Sequence, residues 1–285
     1  MATRMTVDTT AIRARHPHHF GRPSRSRQFV LAMGIAAVLL LLFGMAQLGF
    51  LDGKFLAGLG KLGEIAGLML PPNPGDWAHV RLYVMSLIET VAISLLGTLA
   101  AAVLAMPLAL LAAKNVTTAR VLHFLSRRSL DTIRSVDILI WALIWINVVG
   151  LGPFAGVLAI MTSDIGNFGK LFSEAIEAAD RKPREGIVST GGGAILGVSF
   201  GILPEVFPVL ASQVLYFFES NTRSATIIGI VGAGGIGLHL AEAIRTLELQ
   251  QASFIILMIL IAVAAIDVVS NQLRFALIGR RGQLA

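Results

Sequence analysis

The sequence predicts an all-α integral membrane protein with six transmembrane helices and both termini in the cytoplasm. Of its 285 residues, 55% are hydrophobic and only 14% are charged. A soluble domain of this size cannot bury that much apolar surface, so most of it must face lipid or other membrane helices. The lengths of the apolar runs and the positions of the basic residues between them then define the spans.

Five apolar runs are long enough to cross a bilayer. A helix rises about 1.5 Å per residue, so about 20 residues cross about 30 Å of hydrocarbon. The runs cover residues 29–50, 84–113, 136–172, 194–218 and 254–278. Basic residues precede the first run, as in a signal peptide, but its length and the lack of a small-residue cleavage site favour a retained anchor.

The third run is interrupted by Gly150-Leu151-Gly152-Pro153, and this interruption decides the number of spans. Basic residues flank the run on both sides. Two short crossings joined at the interruption keep both flanks in the cytoplasm, as the positive-inside tendency requires. Eighteen of the 23 basic residues then lie inside, and five lie outside: Lys54, Lys61, Arg81, Arg223 and Arg245.

These spans divide the chain into segments with different roles. We expect a disordered basic cytoplasmic tail at 1–28, a first transmembrane helix at 29–50, an outer loop at 51–83, a core of spans at 84–278 with a cytoplasmic loop at 173–201, and a cytoplasmic tail at 279–285. His16, His18 and His19 lack acidic or thiol companions, which favours a flexible tail over a metal site. The net charge of +6 comes from basic residues that lie between the apolar runs, as membrane topology requires. This placement favours a lipid bilayer over nucleic acid as the partner.

Two glycine patterns favour close packing rather than chemistry. Residues 232–237 match G-x-G-x-x-G, but a dinucleotide-binding loop needs a βαβ unit and an acidic residue about 20 residues later. Membrane spans flank this motif instead, so a tight turn between two spans is the better interpretation. Gly193, Gly197 and Gly201 recur every fourth residue, which places them on one helix face where another backbone can approach.

The cytoplasmic loop carries the first functional signal. Glu185-Gly186-Ile187-Val188-Ser189-Thr190-Gly191 is followed, after nine residues, by Gly201-Ile202-Leu203-Pro204. This pattern resembles the EAA loop of ABC-importer permeases. The acidic residue, the later glycine and the Leu-Pro pair are in register, while Gly186, Ile187 and Gly201 depart from the family pattern. By this resemblance the loop forms a short coupling helix on a cytoplasmic ATPase; an ordinary polar connector with glycine turns is the alternative. The residues implied in coupling are Glu185, Gly186, Ile187, Gly191, Leu203 and Pro204.

Residues 150–159, 218–226 and 229–237 also resemble the phosphonate ABC transporter permeases (PhnE-type), and the likeness extends from about Leu82 to the C-terminus. It implies the type I ABC importer permease fold in the bacterial plasma (inner) membrane and import of phosphonates or related phosphorus oxyanions. The implied partners are a second copy of the chain, two cytoplasmic ATPase subunits and an extracytoplasmic phosphonate-binding protein. No cofactor is expected in this chain, because ATP and Mg would bind the ATPase subunits. Methionine, phosphate and phosphite stay open as cargo.

A donor-rich segment is the candidate substrate path. A phosphonate carries one or two negative charges, and its passage requires donors that replace water without holding it too tightly. Arg223 supplies a charge and a planar fork, and its neighbours supply neutral donors. We expect this segment to line the outer mouth, with a local Glu219–Arg223 pair as the alternative. The candidates are Ser220, Asn221, Thr222, Arg223, Ser224 and Thr226.

Carboxylates at membrane depth suggest a rival class of protein, an ion-coupled secondary transporter. They are Glu89, Asp137, Asp164, Glu205 and Asp267. Because acids repel an anionic substrate, we expect structural pairing for them, with Arg134 as the candidate partner of Asp137 or Asp131. No nucleophile–base pair and no metal-ligand cluster is recognisable in the sequence, so we expect no catalytic residues, no metal site and no enzyme activity.

Overall fold

A computed structural model describes residues 25–50, 54–117 and 119–279, and every regular element in these ranges is helical. Most of the predicted basic tail, including its three histidines, lies outside the described residues, as does nearly all of the predicted C-terminal tail. The chain separates into two compact units, Met1–Ala66 and Gly67–Ala285.

The first unit contains helix α1 (Arg25–Gln47) and most of helix α2 (Lys54–Leu68). Within α1, residues Gln28–Gln47 are long and apolar enough to cross a membrane. Apolar side chains occupy all sides of α1 and are exposed. A helix that is apolar all round suits a lipid environment. Helix α2 lies within residues 51–83, so the segment that was predicted to be an outer loop contains a helix.

The second unit is a bundle built around one long helix, α3 (Trp77–Ala112). Helices α6 and α9 pack along α3, and α11 packs along α9. The remaining elements in chain order are α4 (Arg120–Arg134), α5 (Ile138–Val149), α6 (Pro153–Ala178), α7 (Lys182–Ser189), α8 (Ala194–Leu196), a π-helical segment (Gly197–Ile202), α9 (Leu203–Ile230), α10 (Ile236–Arg245) and α11 (Leu249–Gly279).

Small residues bring α3 close to its neighbours. Ala101, Ala105 and Ala109 recur every fourth residue on α3 and are fully buried. A Cβ at Gly97 would lie 2.7 Å from Cβ of Ile160 on α6, so the helices touch at this glycine. Membrane helices lack a hydrophobic driving force toward each other, and such small faces let dispersion forces hold them together.

Four helical stretches of the described chain are long and apolar enough to span a membrane: one in each of α1, α3 and α11, and a continuous one from α8 to the end of α9. The predicted break at residues 150–153 is present between α5 and α6. However, the two crossings are not both short. Helix α5 has 12 residues, about 18 Å, whereas α6 has 26 residues, about 39 Å. The count of six crossings and the cytoplasmic location of both termini stay predictions.

The predicted fifth span also needs correction. It was expected to end at residue 218, but α9 continues to Ile230 and carries residues 219–226 inside the helix. Hydroxyl side chains there donate back to carbonyls one turn earlier, for example Thr222 Oγ1 to Phe218 O at 3.0 Å. Polar residues that satisfy themselves in this way do not end a membrane helix.

The bundle has two ends that differ in what they contain. Tyr83, near the start of α3, donates to Oε1 of Gln251 at the start of α11, at 2.6 Å. At the other end of α3, Lys114 N–H donates to Glu177 at the end of α6, at 2.8 Å. We call these the Tyr83 end and the Lys114 end, and the predicted topology assigns the Lys114 end to the cytoplasm.

Candidate functional site

A short helix projects from the Lys114 end, where the coupling helix was predicted. Helix α7 begins after Asp180, whose carboxylate accepts the N–H of Lys182 at 3.1 Å. Pro183 and Glu185 lie in its first turn, where a ring without N–H and a negative charge both suit a helix start. Gly191 has φ of +90° and reverses the chain just after α7 ends.

One face of α7 is fixed tightly to the bundle. A Cβ at Gly201, in the π-helical segment, would lie 2.9 Å from both Cα and N of Arg184. Arg184 Nη1 also donates to the carbonyl of Asn115, which follows α3, at 2.6 Å. The predicted close backbone approach at the glycine stripe is therefore present at Gly201, and it explains why the isoleucine of the family pattern is replaced there.

The opposite face of α7 is open. Glu185 and Gly186 are exposed and Ile187 is half-buried, whereas Val188, also exposed, lies on the packed side near Gly197. Leu203 and Pro204 form the first turn of α9, where Leu203 packs against the buried core. The predicted coupling residues are thus brought together at one end, with an outward face that nothing in the described chain covers.

The donor-rich segment lies in the middle of the bundle and not at an outer mouth. Thr222 Oγ1 is 3.2 Å from Ser94 Oγ, and Asn221 Nδ2 donates to Thr98 Oγ1 at 2.8 Å. Ser94 and Thr98 lie halfway along the 36 residues of α3. The expectation of an outer position is wrong, because it ended the helix twelve residues too early.

The segment has two faces with different surroundings. Asn221, Thr222 and Thr226 are buried among neighbouring helices. Arg223 is exposed, and Ser220 and Ser224 beside it are half-buried. The buried three are held by protein partners, so only the second face can meet a solute directly.

Asp164 on α6 organises the buried face. Its side chain is 2% exposed and accepts hydrogen bonds from Nδ2 of Asn221 and, at 3.2 Å, from Nδ2 of Asn167. Both partners are neutral amides, and Asn221 continues the network to Thr98. This polar cluster connects α3, α6 and α9 at the depth of the exposed arginine.

We expect Asp164→Ala to destabilise the protein much more than Asp164→Asn. Alanine leaves one N–H of the Asn221 amide and one N–H of the Asn167 amide without an acceptor, at a cost of about 1–3 kcal/mol for each donor, while the other Asn221 N–H keeps its bond to Thr98. Asparagine keeps one acceptor oxygen and the shape of the side chain. Thermal unfolding in detergent measures the difference, and equal stability of the two variants would contradict a structural role of this carboxylate.

An arginine cluster lies on the exposed face between α9 and α11. Glu219, with a side chain 9% exposed, accepts from Nη1 and Nη2 of Arg223 at 3.3 Å and from Nη2 of Arg274 at 2.8 Å. Arg274 also donates to Asn271, which in turn donates to Asp267 at 3.1 Å. The local Glu219–Arg223 pair is present. Arg274 joins it, and the predicted topology counts this arginine among the eighteen inside basic residues, at the C-terminal end of the chain.

Arg223 is the unusual member of this cluster. Its side chain is 49% exposed, although it lies at the same depth as the middle of α3. A guanidinium facing hydrocarbon is costly, so charged groups at this depth face water or other protein. The face of the bundle that carries the arginine cluster therefore meets water or other protein and not lipid alone.

The other acidic residues have structural partners, as expected. Glu89 accepts the N–H of Gly235 at 3.0 Å, and Thr90 accepts the N–H of Ile236 at 2.8 Å, so α3 caps the start of α10. Asp137 caps α5, and Asp131 pairs with Lys170 at 3.5 Å; Arg134 is not their partner. The glycine motif forms the predicted tight turn: Gly232, Gly234 and Gly235 have positive φ, and a Cβ at Gly237 would overlap the carbonyl oxygen of Thr226.

Comparison with known proteins identifies the family. Residues 105–282 match the family model described as "Binding-protein-dependent transport system inner membrane component". The chain is 36% identical over 227 residues to the phosphite transport system permease protein PtxC of Stutzerimonas stutzeri, covering 79% of this chain and 82% of that one. It is 38% identical over 210 residues to the phosphate-import permease protein PhnE of Mycolicibacterium smegmatis, covering 74% of this chain and 39% of that one.

Solved structures agree with this assignment at the level of the fold. An inward-facing MetNI methionine ABC transporter chain superposes with a TM-score of 0.62 at 18% identity, over 71% of this chain and 99% of that one. Homologous importer permeases work with an ATPase and a substrate-binding protein, and the permease itself needs no cofactor. The chain belongs to the family of binding-protein-dependent transport system inner membrane components, and it is a membrane-embedded permease subunit of an ABC importer, not an enzyme.

Proposed function

We propose that this permease imports small phosphorus oxyanions, with phosphonates as the leading cargo and phosphite and phosphate as close relatives. The observation that carries the proposal is the exposed Arg223 at membrane depth, beside the half-buried Ser220 and Ser224. The relatives named for phosphite and phosphate transport support the same chemical class.

The arginine cluster can bind an anion and still release it, as transport requires. The planar guanidinium of Arg223 matches two oxygens of a phosphonate, and the serine hydroxyls add neutral donors. Glu219 already occupies part of the hydrogen-bonding capacity of both Arg223 and Arg274. This internal carboxylate lowers the net positive charge of the face, so an oxyanion is attracted without being trapped.

The open face of α7 is the proposed contact for the ATPase. Glu185, Gly186 and Ile187 present a short exposed helix, while Gly191 and the first turn of α9 fix its position. The docking partner would bind ATP and Mg, which this chain does not. Because Gly201 holds α7 against the start of α9, displacement of the docked subunit would be passed to the bundle.

A homodimer completes the proposed assembly. Two copies that meet near their arginine clusters would enclose one polar path and shield both Arg223 side chains from lipid. Two ATPase subunits would then dock at the Lys114 end, and the phosphonate-binding protein at the Tyr83 end. Six crossings with both termini in the cytoplasm are part of this proposal.

The test is a reconstituted complex of permease, ATPase and binding protein in vesicles. We expect an alkylphosphonate to stimulate ATP hydrolysis and uptake several-fold, phosphite and phosphate to act more weakly, and methionine to have no effect. Stimulation by methionine alone would refute the cargo. Uptake by the permease in the absence of ATP and of the ATPase would refute the energy source and favour an ion-coupled transporter.

A further inference from the structure

Helix α4 has an outward face whose chemistry differs from that of its packed face. On the packed side, Leu130 is buried, and a Cβ at Gly169 of α6 would overlap its side chain. The charges on that side are paired, Arg127 with Glu177 and Asp131 with Lys170, both at 3.5 Å. Helix α6 therefore covers this side of α4 and supplies the partners of its charged residues.

The outward side of α4 combines bulky apolar groups with unpaired cations. Val121, Phe124 and Leu125 are all more than half exposed. Arg120 and Arg128 are exposed too, and neither has a carboxylate partner among the residues that the structure describes. The guanidinium of Arg128 lies 5.9 Å from the ring centroid of Phe124, over the aromatic face.

The direction of α4 places this face at a membrane surface. Helix α4 meets α5 at 88°, and α5 packs against α6, which in turn packs along α3, a helix long and apolar enough to span a membrane. With α5 along the membrane normal, α4 lies in the membrane plane. It lies at the Lys114 end, where Arg127 contacts the last part of α6. An in-plane helix with aromatic and aliphatic side chains flanked by arginines is typical of the boundary between acyl chains and headgroups.

We propose that α4 is a binding surface for anionic phospholipid headgroups of the cytoplasmic leaflet. Val121, Phe124 and Leu125 enter the upper acyl region, and Arg120 and Arg128 hold the phosphate groups. A contact with the ATPase is the competing explanation. The unpaired arginines beside exposed aliphatic groups fit a lipid surface better, because the in-plane direction puts both groups at their preferred depths.

The experiment compares the complete transporter with the double variant R120Q/R128Q. Bound phosphatidylglycerol is measured by native mass spectrometry, and uptake is measured in phosphatidylcholine vesicles with increasing phosphatidylglycerol. We expect about a five-fold loss of phosphatidylglycerol affinity for each arginine and about 25-fold for both. Uptake in the double variant should need correspondingly more phosphatidylglycerol. The control Arg81→Gln removes an exposed charge near the Tyr83 end and should bind this lipid as the unmodified protein does.

Two results would overturn the proposal. Unchanged phosphatidylglycerol binding by a stably folded double variant would show that the arginines do not hold the lipid. Loss of the ATPase from the detergent-purified double variant, with lipid binding intact, would assign α4 to a protein contact. The unfolding temperature in detergent distinguishes both results from simple misfolding.

Discussion

Replacement of Arg223 by glutamine is expected to reduce phosphonate uptake by about 10- to 100-fold, since a hydrogen bond to a charged partner contributes about 1.5–3 kcal/mol. Glutamine keeps a polar, uncharged side chain, which is shorter than arginine, and removes both the charge and the guanidinium fork. The initial rate of uptake at low substrate concentration, in vesicles with the ATPase and the binding protein, measures the effect.

The structure supplies the controls for this experiment. Glu219 keeps its hydrogen bond from Arg274 at 2.8 Å, so the variant leaves no buried carboxylate unpaired and should insert and fold. Arg223→Lys retains the charge without the fork and should give an intermediate rate. If Arg223→Gln inserts normally and transports at the original rate, the exposed face of α9 does not contact the substrate.

Gly201→Val is expected to disconnect the ATPase from the permease. The new Cβ would lie 2.9 Å from Cα and N of Arg184, which are backbone atoms, so α7 itself must shift. Overpacking of this kind costs about 1–3 kcal/mol. We expect retention of the ATPase during purification and uptake to fall by roughly ten-fold or more at that cost. Co-purification of the two subunits and uptake in vesicles are the measurements.

Gly193→Val is the matched control, because a Cβ at Gly193 meets no atom within 4 Å and the residue has φ of −69°, which valine can adopt. It should retain both the ATPase and uptake. If the two variants behave alike, close packing of α7 against the π-helical segment does not matter for coupling. A fall in uptake with the ATPase still bound would locate the defect inside the bundle instead.

Much of the fold could be predicted because lipid imposes simple rules on sequence. Apolar length identified α1, α3 and α11, and the glycine and proline interruption identified the turn between α5 and α6. The helix at Lys182–Ser189 overlaps the segment, beginning at Glu185, whose resemblance predicted a short helix. These features depend on local sequence, where composition and helix-breaking residues decide the outcome.

The features that sequence reasoning missed depend on contacts between distant residues. Asn221 and Thr222 were expected to end a helix at a water-facing mouth, yet Ser94, Thr98 and Asp164 provide their partners inside the bundle. Each of these contacts joins residues at least 57 positions apart. A polar residue whose partner lies on another helix has the same local sequence signature as one in a loop.

The contact of Arg274 with Glu219 also joins residues that are distant in the sequence, so local sequence could not predict it. Arg274 lies 55 residues from Glu219 and was grouped with the basic residues of the C-terminal end, where the positive-inside rule expects them. Only the packing of α11 along α9 brings its guanidinium to the carboxylate. Helix α5 ends at the predicted interruption after 12 residues, but α6, which was expected to be short as well, has 26 residues.

The continuity of α9 has a mechanical consequence. From Leu203 beside α7 to Arg223, the chain is one helix of 21 residues, about 30 Å long, without an intervening loop. Pro208 is the only proline beyond the first turn of α9, so bending is easiest close to the coupling end. Beyond that point the helix can tilt as a stiff lever. In the proposed assembly, a small rotation that the ATPase imposes on α7 would then move the guanidinium of Arg223 sideways by several ångströms. This movement would open and close the substrate path without a relay of intermediate side chains.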